Sequence, residues 1–115
     1  MATRIRCPIE DCHQIVFGPA TAKSKNDFTT SGDCLVVVAE DIAAAADGVG
    51  FVKVPQLLVD KAAVLVEAGE KAYRDDEAET FTNIATGACR GHFNEGAAAS
   101  ASTAEIYFDG ALWGS

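Results

Sequence analysis

Apolar positions in this chain come in short runs cut by turn residues. The clearest is Cys34-Leu35-Val36-Val37-Val38-Ala39, rich in β-branched residues and bounded by Gly32-Asp33 and Glu40-Asp41. A continuous apolar run of that length reads as a buried strand. Phe51-Val52-Lys53-Val54 alternates apolar with polar and reads as a half-buried strand that Pro55 stops. Beyond Gly69 the pattern is β throughout. Lys71-Ala72-Tyr73-Arg74, Thr80 to Ile84, Ala88 to Phe93 and Glu105 to Asp109 are strands, separated by Asp75-Asp76-Glu77, by Thr86-Gly87 and by the small-residue stretch 94–103. Two segments are open to helix. Residues 41–47, DIAAAAD, have room for one helical turn before Gly48 and Gly50. Residues 57–68, LLVDKAAVLVEA, fit a short helix capped by Asp60 and stopped by Gly69, or a turn-rich stretch; their valines suit a strand as well.

Short strands at this spacing predict a mainly β fold: a small single-domain antiparallel β-barrel or sandwich with one or two short helices. Residues 1–30 differ from the rest. Pro8 and Pro19 exclude a long helix or a central strand there, although Ile5, Ile9, Ile15 and Phe17 are apolar. The chain therefore divides into an extended N-terminal arm or edge segment, 1–30, and a β-rich body, 31–115. Such an arm is expected to be mobile until a partner orders it.

Size and charge narrow the function. At 115 residues the chain makes one domain and buries a core without staples. With 21 alanines and 10 glycines its apolar content is small-sided, which favours thin layers over a deep pocket. The net charge is −8 and unevenly spread. Residues 1–30 carry four basic and three acidic side chains, residues 31–115 five and 14. An acidic body repels phosphate, so neither nucleic acid nor an anionic membrane is an expected partner. No apolar run reaches membrane-spanning length, and none near the start matches a secretory leader, so a cytosolic origin is expected.

Candidate chemistry is sparse. Cys7-x4-Cys12 and Cys89-x2-His92 would supply four zinc ligands if the chain brought them together, but neither is the tight CxxC pair of a strong zinc signature. The competing expectation is four reduced thiols, Cys34 included, with no disulfide and no metal. Cys89 beside His92 has the makings of a nucleophile and base, with only Arg90 nearby to favour a thiolate. The acids Asp75, Asp76, Glu77 and Glu79 lack calcium-loop spacing and fit a solvated hairpin tip. There is no serine elbow and no glycine-rich phosphate cradle. The expectation is a non-enzymatic domain without a cofactor.

From Gly32 onward, the order of these elements resembles the small capsid cement (decoration) proteins of tailed bacteriophages. The shared features are Gly32-Asp33 before an early apolar strand, Val52 to Pro55, and the run from Gly69 through Ala72 and Tyr73 to Asp75. A threonine-rich strand, a glycine-containing strand, an Ala/Ser loop and the closing Asp109-Gly110 follow. The likeness covers roughly residues 30–110. It implies a virion protein that sits on the outer head surface, made in the host cytoplasm. It also implies bridging of major capsid protein subunits and contact with further copies of itself, a trimer among the possible assemblies. In that setting Ile5, Ile9, Ile15, Phe17 and Trp113 become candidate anchors, with Arg4 and Arg6 pairing to acidic shell groups. Ile15 and Phe17 fit an ordinary core equally well. A zinc-stapled head–tail adaptor built on Cys7, Cys12, Cys89 and His92 is the alternative.

Overall fold

A computed structural model describes residues 3–111. Among them, nine strands form one antiparallel sheet: β1 (Arg4–Ile5), β2 (His13–Phe17), β3 (Phe28–Ser31), β4 (Cys34–Val38), β5 (Gly48–Asp60), β6 (Lys71–Asp75), β7 (Thr80–Thr82), β8 (Cys89–Phe93) and β9 (Thr103–Asp109). The order across the sheet is β3-β4-β5-β9-β8-β6-β7, with β1 and β2 also paired to β5. The sheet curls into a half-barrel. The mainly β, single-domain reading therefore holds, and the only helix among the described residues is a 3-10 turn at Ile9–Asp11.

The curl has a side-chain cause. Phe28, on the first strand of the order, packs edge-on against Phe81 on the last, with ring centroids 5.3 Å apart. It also meets Phe108 of β9 at 5.8 Å. Arg74 lays its guanidinium over the Phe28 ring at 4.5 Å, closing the seam with a cation–π contact. The backbone helps as well, since Ala62 donates to the Phe81 carbonyl and ties the end of β5 to β7. Inside the curl lies the main core, including Val54, Leu57, Val59, Phe81, Phe93, Ile106 and Phe108, all fully buried. On β9 the alternation is complete: Ala104, Ile106 and Phe108 point in, while Thr103, Glu105, Tyr107 and Asp109 stay half-exposed.

A second, smaller core lies on the other face of β4, where Val36 and Val38 pack with Phe17, Ile42 and Val52. Strand β4 thus has both faces covered, which explains its uninterrupted apolar run.

Two sequence expectations change, at Pro55 and at residues 41–47, and residues 57–68 take the strand and turn-rich forms among their alternatives. Pro55 does not stop β5, which runs Gly48–Asp60. The proline falls where the β5–β9 register shifts between Val54 and Leu57, so its missing N–H breaks no ladder bond. Its carbonyl accepts from the Asn94 amide at 2.9 Å. Residues 57–68 form no helix. Asp60 ends β5 and the rest is a turn-rich loop. Lys61, only 4% exposed, fixes that loop by donating to the Ala62 and Val64 carbonyls at 2.7 and 2.6 Å. Desolvation lowers its ammonium pKa. Residues 41–47 form a turn with Ala45 at φ 61° rather than a helical turn.

Candidate functional site

The N-terminal segment is extended, as its prolines demand, and it lies along β5. Arg4 pairs with Leu58 and Ile5 with Leu57; further on, His13 to Phe17 run against Lys53 to Gly48. Both strands use the edge of β5 opposite β4 and β9, and β2 has no other strand partner among the described residues. The outer edge of β2 is therefore a free row of backbone donors and acceptors. Its side chains alternate accordingly. Phe17 is buried and Ile15 half-buried against the second core, whereas Val16 is 72% exposed.

Between β1 and β2, which run in the same direction along β5, the chain makes the 3-10 turn, held by Asp11 N–H to the Pro8 carbonyl and Cys12 N–H to the Ile9 carbonyl, both 3.0 Å. The turn presents Ile9 to solvent at 52% exposure. Beside it lies a cleft of about 330 Å³, lined by Arg4, Ile5, Cys7, Ile9, Lys25 and Asn26. Two cations on one small cleft stand out in a chain of net charge −8.

The structure thus gathers Arg4, Ile5 and Ile9 at one place. Arg6 instead pairs with this chain's own Glu105 at 3.6 Å, and Phe17 belongs to its own core. Trp113 lies outside the described residues. Sequence reading missed Val16, whose position in the alternation His13–Phe17 was the available signal. It also missed Lys25 and Asn26, which only the fold carries to the cleft.

The four zinc candidates do not assemble. Cys7 and Cys12 flank the 3-10 turn with their sulfurs 3.8 Å apart. That separation equals the edge of a tetrahedron with zinc–sulfur bonds of about 2.3 Å. Among the described residues, however, no group of three or more His, Cys, Asp or Glu side chains is placed to hold a metal ion. Cys89 is buried in β8 with its thiol on the Gly91 carbonyl at 3.2 Å. His92 turns outward and stacks on Tyr107 at 5.2 Å, with Lys53 5.6 Å from the same ring. Burial and the neighbouring Cys7 push the Cys12 thiol up to about 12, so it stays protonated at neutral pH. The acids 75–79 cap the β6–β7 hairpin, where the Asp75 carboxylate accepts from the Glu77 and Ala78 amides.

No protein-family model, curated protein or solved structure matches the chain. Among the described residues, no helix is long and apolar enough to cross a membrane.

Proposed function

We propose that this chain is a capsid cement protein, a structural component of the virion that binds the outside of a tailed-phage head and bridges neighbouring major capsid subunits. The observation that carries the reading is the N-terminal edge. An extended segment there leaves the outer row of β2 backbone groups free, exposes Val16 on that strand and, further along the same segment, holds Ile9 in solvent on the cleft that Arg4 lines. A free strand edge recruits a neighbouring segment by strand addition, gaining many backbone hydrogen bonds from few residues. The exposed apolar side chains give that contact its specificity, and Arg4 suits an acidic shell group. The curled body supplies rigidity: its seam is closed by aromatic rings and its main core is apolar and buried. The order of elements from Gly32 to Gly110, which resembles the decoration proteins, supports the same reading. Modest affinity per copy is enough, because many symmetric copies share the load.

The test is co-sedimentation with undecorated mature heads assembled from the major capsid protein encoded alongside this chain. Intact protein is expected in the pellet, and an Ile9→Ser/Val16→Ser double variant is expected to bind at least tenfold more weakly, as for two anchors of a contact. Intact protein that stays in the supernatant overturns the reading. A double variant that binds like the intact chain overturns the role of this edge.

A further inference from the structure

The turn that carries Ile9 also carries two thiols aimed at each other. Cys7 and Cys12 are both half-buried, their sulfurs 3.8 Å apart. A disulfide needs about 2.0 Å, so closure requires under 2 Å of approach, the scale of side-chain rotation rather than of strand movement. The backbone already brings the two residues together, because the 3-10 turn between them is hydrogen-bonded at both its closing positions. Cys34 and Cys89 sit elsewhere, on β4 and on β8. Cys7 also lines the cleft that holds Arg4 and Lys25. A small anionic molecule drawn to those two cations arrives at a sulfur that has a second sulfur behind it.

We propose that Cys7 and Cys12 form a thiol–disulfide exchange site, which closes to an internal disulfide by reducing a low-molecular-weight anionic disulfide of the glutathione class that enters by this cleft. The inference is independent of the capsid reading. The Cys7 thiolate attacks one sulfur of the small disulfide; its S–S bond breaks, and one small thiolate leaves. With Cys7 capped, its thiolate no longer disfavours ionisation of Cys12, which gives its proton to solvent as it attacks the Cys7 sulfur and releases the second small thiolate. Two protein thiols are oxidised to one disulfide, and one small disulfide is reduced to two thiols. The closed ring ties down the turn between β1 and β2, so oxidation stiffens the segment that presents Ile9.

The experiment uses the purified full chain, equilibrated without other reductant at graded ratios of oxidised to reduced glutathione. It is then quenched with acid and its free thiols counted by alkylation and intact mass. Oxidation is expected to remove two of the four thiols together, with a loss of two hydrogens in mass and a peptide map linking Cys7 to Cys12. The oxidised chain is expected to melt roughly 5 °C higher, as for a short closed loop in a domain of this size. Cys12→Ser is expected to stop at a stable glutathionyl adduct on Cys7, the trapped first intermediate. Charge reversal at Arg4 and Lys25 together is expected to slow the reaction with glutathione disulfide roughly tenfold at low salt, but not that with uncharged hydroxyethyl disulfide. All four thiols remaining free, or a map linking Cys34, Cys89 or a second molecule instead, overturns the exchange site. Equal slowing with both small disulfides overturns the role of the cleft.

Discussion

The two margins of β5 are built from similar β-forming residues, yet they are held in different ways. On one side β9 pairs with it from Lys53↔Asp109 to Asp60↔Thr103, and β8 and β6 continue the sheet. Every inward side chain there is fully covered, as Ile106, Phe108 and Phe93 show. On the other side β1 and β2 pair with β5 just as directly, but only Phe17 of β2 is buried and Val16 stands in water. Hydrogen-bond pairing is thus common to both margins, while apolar burial is concentrated on one. Since burial supplies most of the favourable free energy of folding, the β9 side holds the fold and the β2 side is left available for contact.

The largest effect expected from this contrast is at Gly91. Its φ of 139° is outside the range of L side chains, and a Cβ there would overlap the Tyr107 carbonyl of the paired strand. Gly91→Ala is expected to leave no cooperative melting transition. Phe93→Ala, in the same strand and fully buried, is expected to cost about 3–5 kcal/mol in urea unfolding. A Gly91→Ala protein that melts normally would mean β8 does not pass so close to β9.

Phe17→Ala tests the other margin where it is strongest. The ring lies in the smaller core with Val36, Val38, Ile42 and Val52. The expected loss is about 3 kcal/mol, the lower end for a buried phenylalanine, because the site sits near an edge and collapses more easily. Hydrogen exchange would sharpen the result. Amides of β2 are expected to lose protection in the variant while those of β9 keep theirs. Equal loss in both would make the two margins one cooperative unit.

How much of this was legible in the sequence depends on what determines each strand. β4, β8 and β9 are set by local pattern: a covered run at Val36 to Val38, and alternation around Gly91 and Ile106. They were readable. β5 was cut short at Pro55, because the register shift that accommodates the proline is made by β9, some fifty positions later in the chain. β3 was missed because its one large apolar residue, Phe28, is placed by Phe81 and Phe108 rather than by its neighbours. For the same reason the N-terminal segment read only as an extended arm or edge segment, and local pattern does not reveal which margin of β5 its strands pair with. At the site, Arg4, Ile5 and Ile9 were legible as an unusual apolar and basic cluster. The Cys7–Cys12 pair was legible only as half of a zinc site with Cys89 and His92, because a spacing of five brings two thiols together on their own only when the residues between them fold into a turn.

A weaker effect follows from Cys12. Its folded pKa is raised from 9.0 to about 12, chiefly by desolvation. In the unfolded chain it ionises near its ordinary value, so between these two pH values the unfolded state binds fewer protons than the folded one. Stability then falls as pH rises through that window. With reductant present, Cys12→Ser is expected to flatten part of the alkaline decline of the intact chain, read as urea midpoints across the window. Parallel declines would show that the thiol is not buried in solution.

The smallest expected effect concerns an ion pair between the two margins, Arg6 with Glu105 of β9 at 3.6 Å, with side chains 38% and 18% exposed. If charge rather than burial fastened the N-terminal segment, Arg6→Ala would be a severe change. Three features argue against that. The pair is solvent-accessible on the arginine side, so its worth is about 0.2–1 kcal/mol. Glu105 keeps a second partner, the Asn94 amide at 3.1 Å, and is not stranded when the guanidinium is removed. The Arg6 backbone N–H still donates to the Gln56 carbonyl at 2.9 Å, so the strand alignment does not depend on the side chain. Arg6→Ala is therefore expected to lower stability by under about 1 kcal/mol, and salt near 1 M is expected to erase most of the difference from the intact chain. A loss as large as that of Phe17→Ala, insensitive to salt, would show that the segment is fastened through this pair. The margin of β5 that looks available for a partner would then be as firmly held as the one that carries the core.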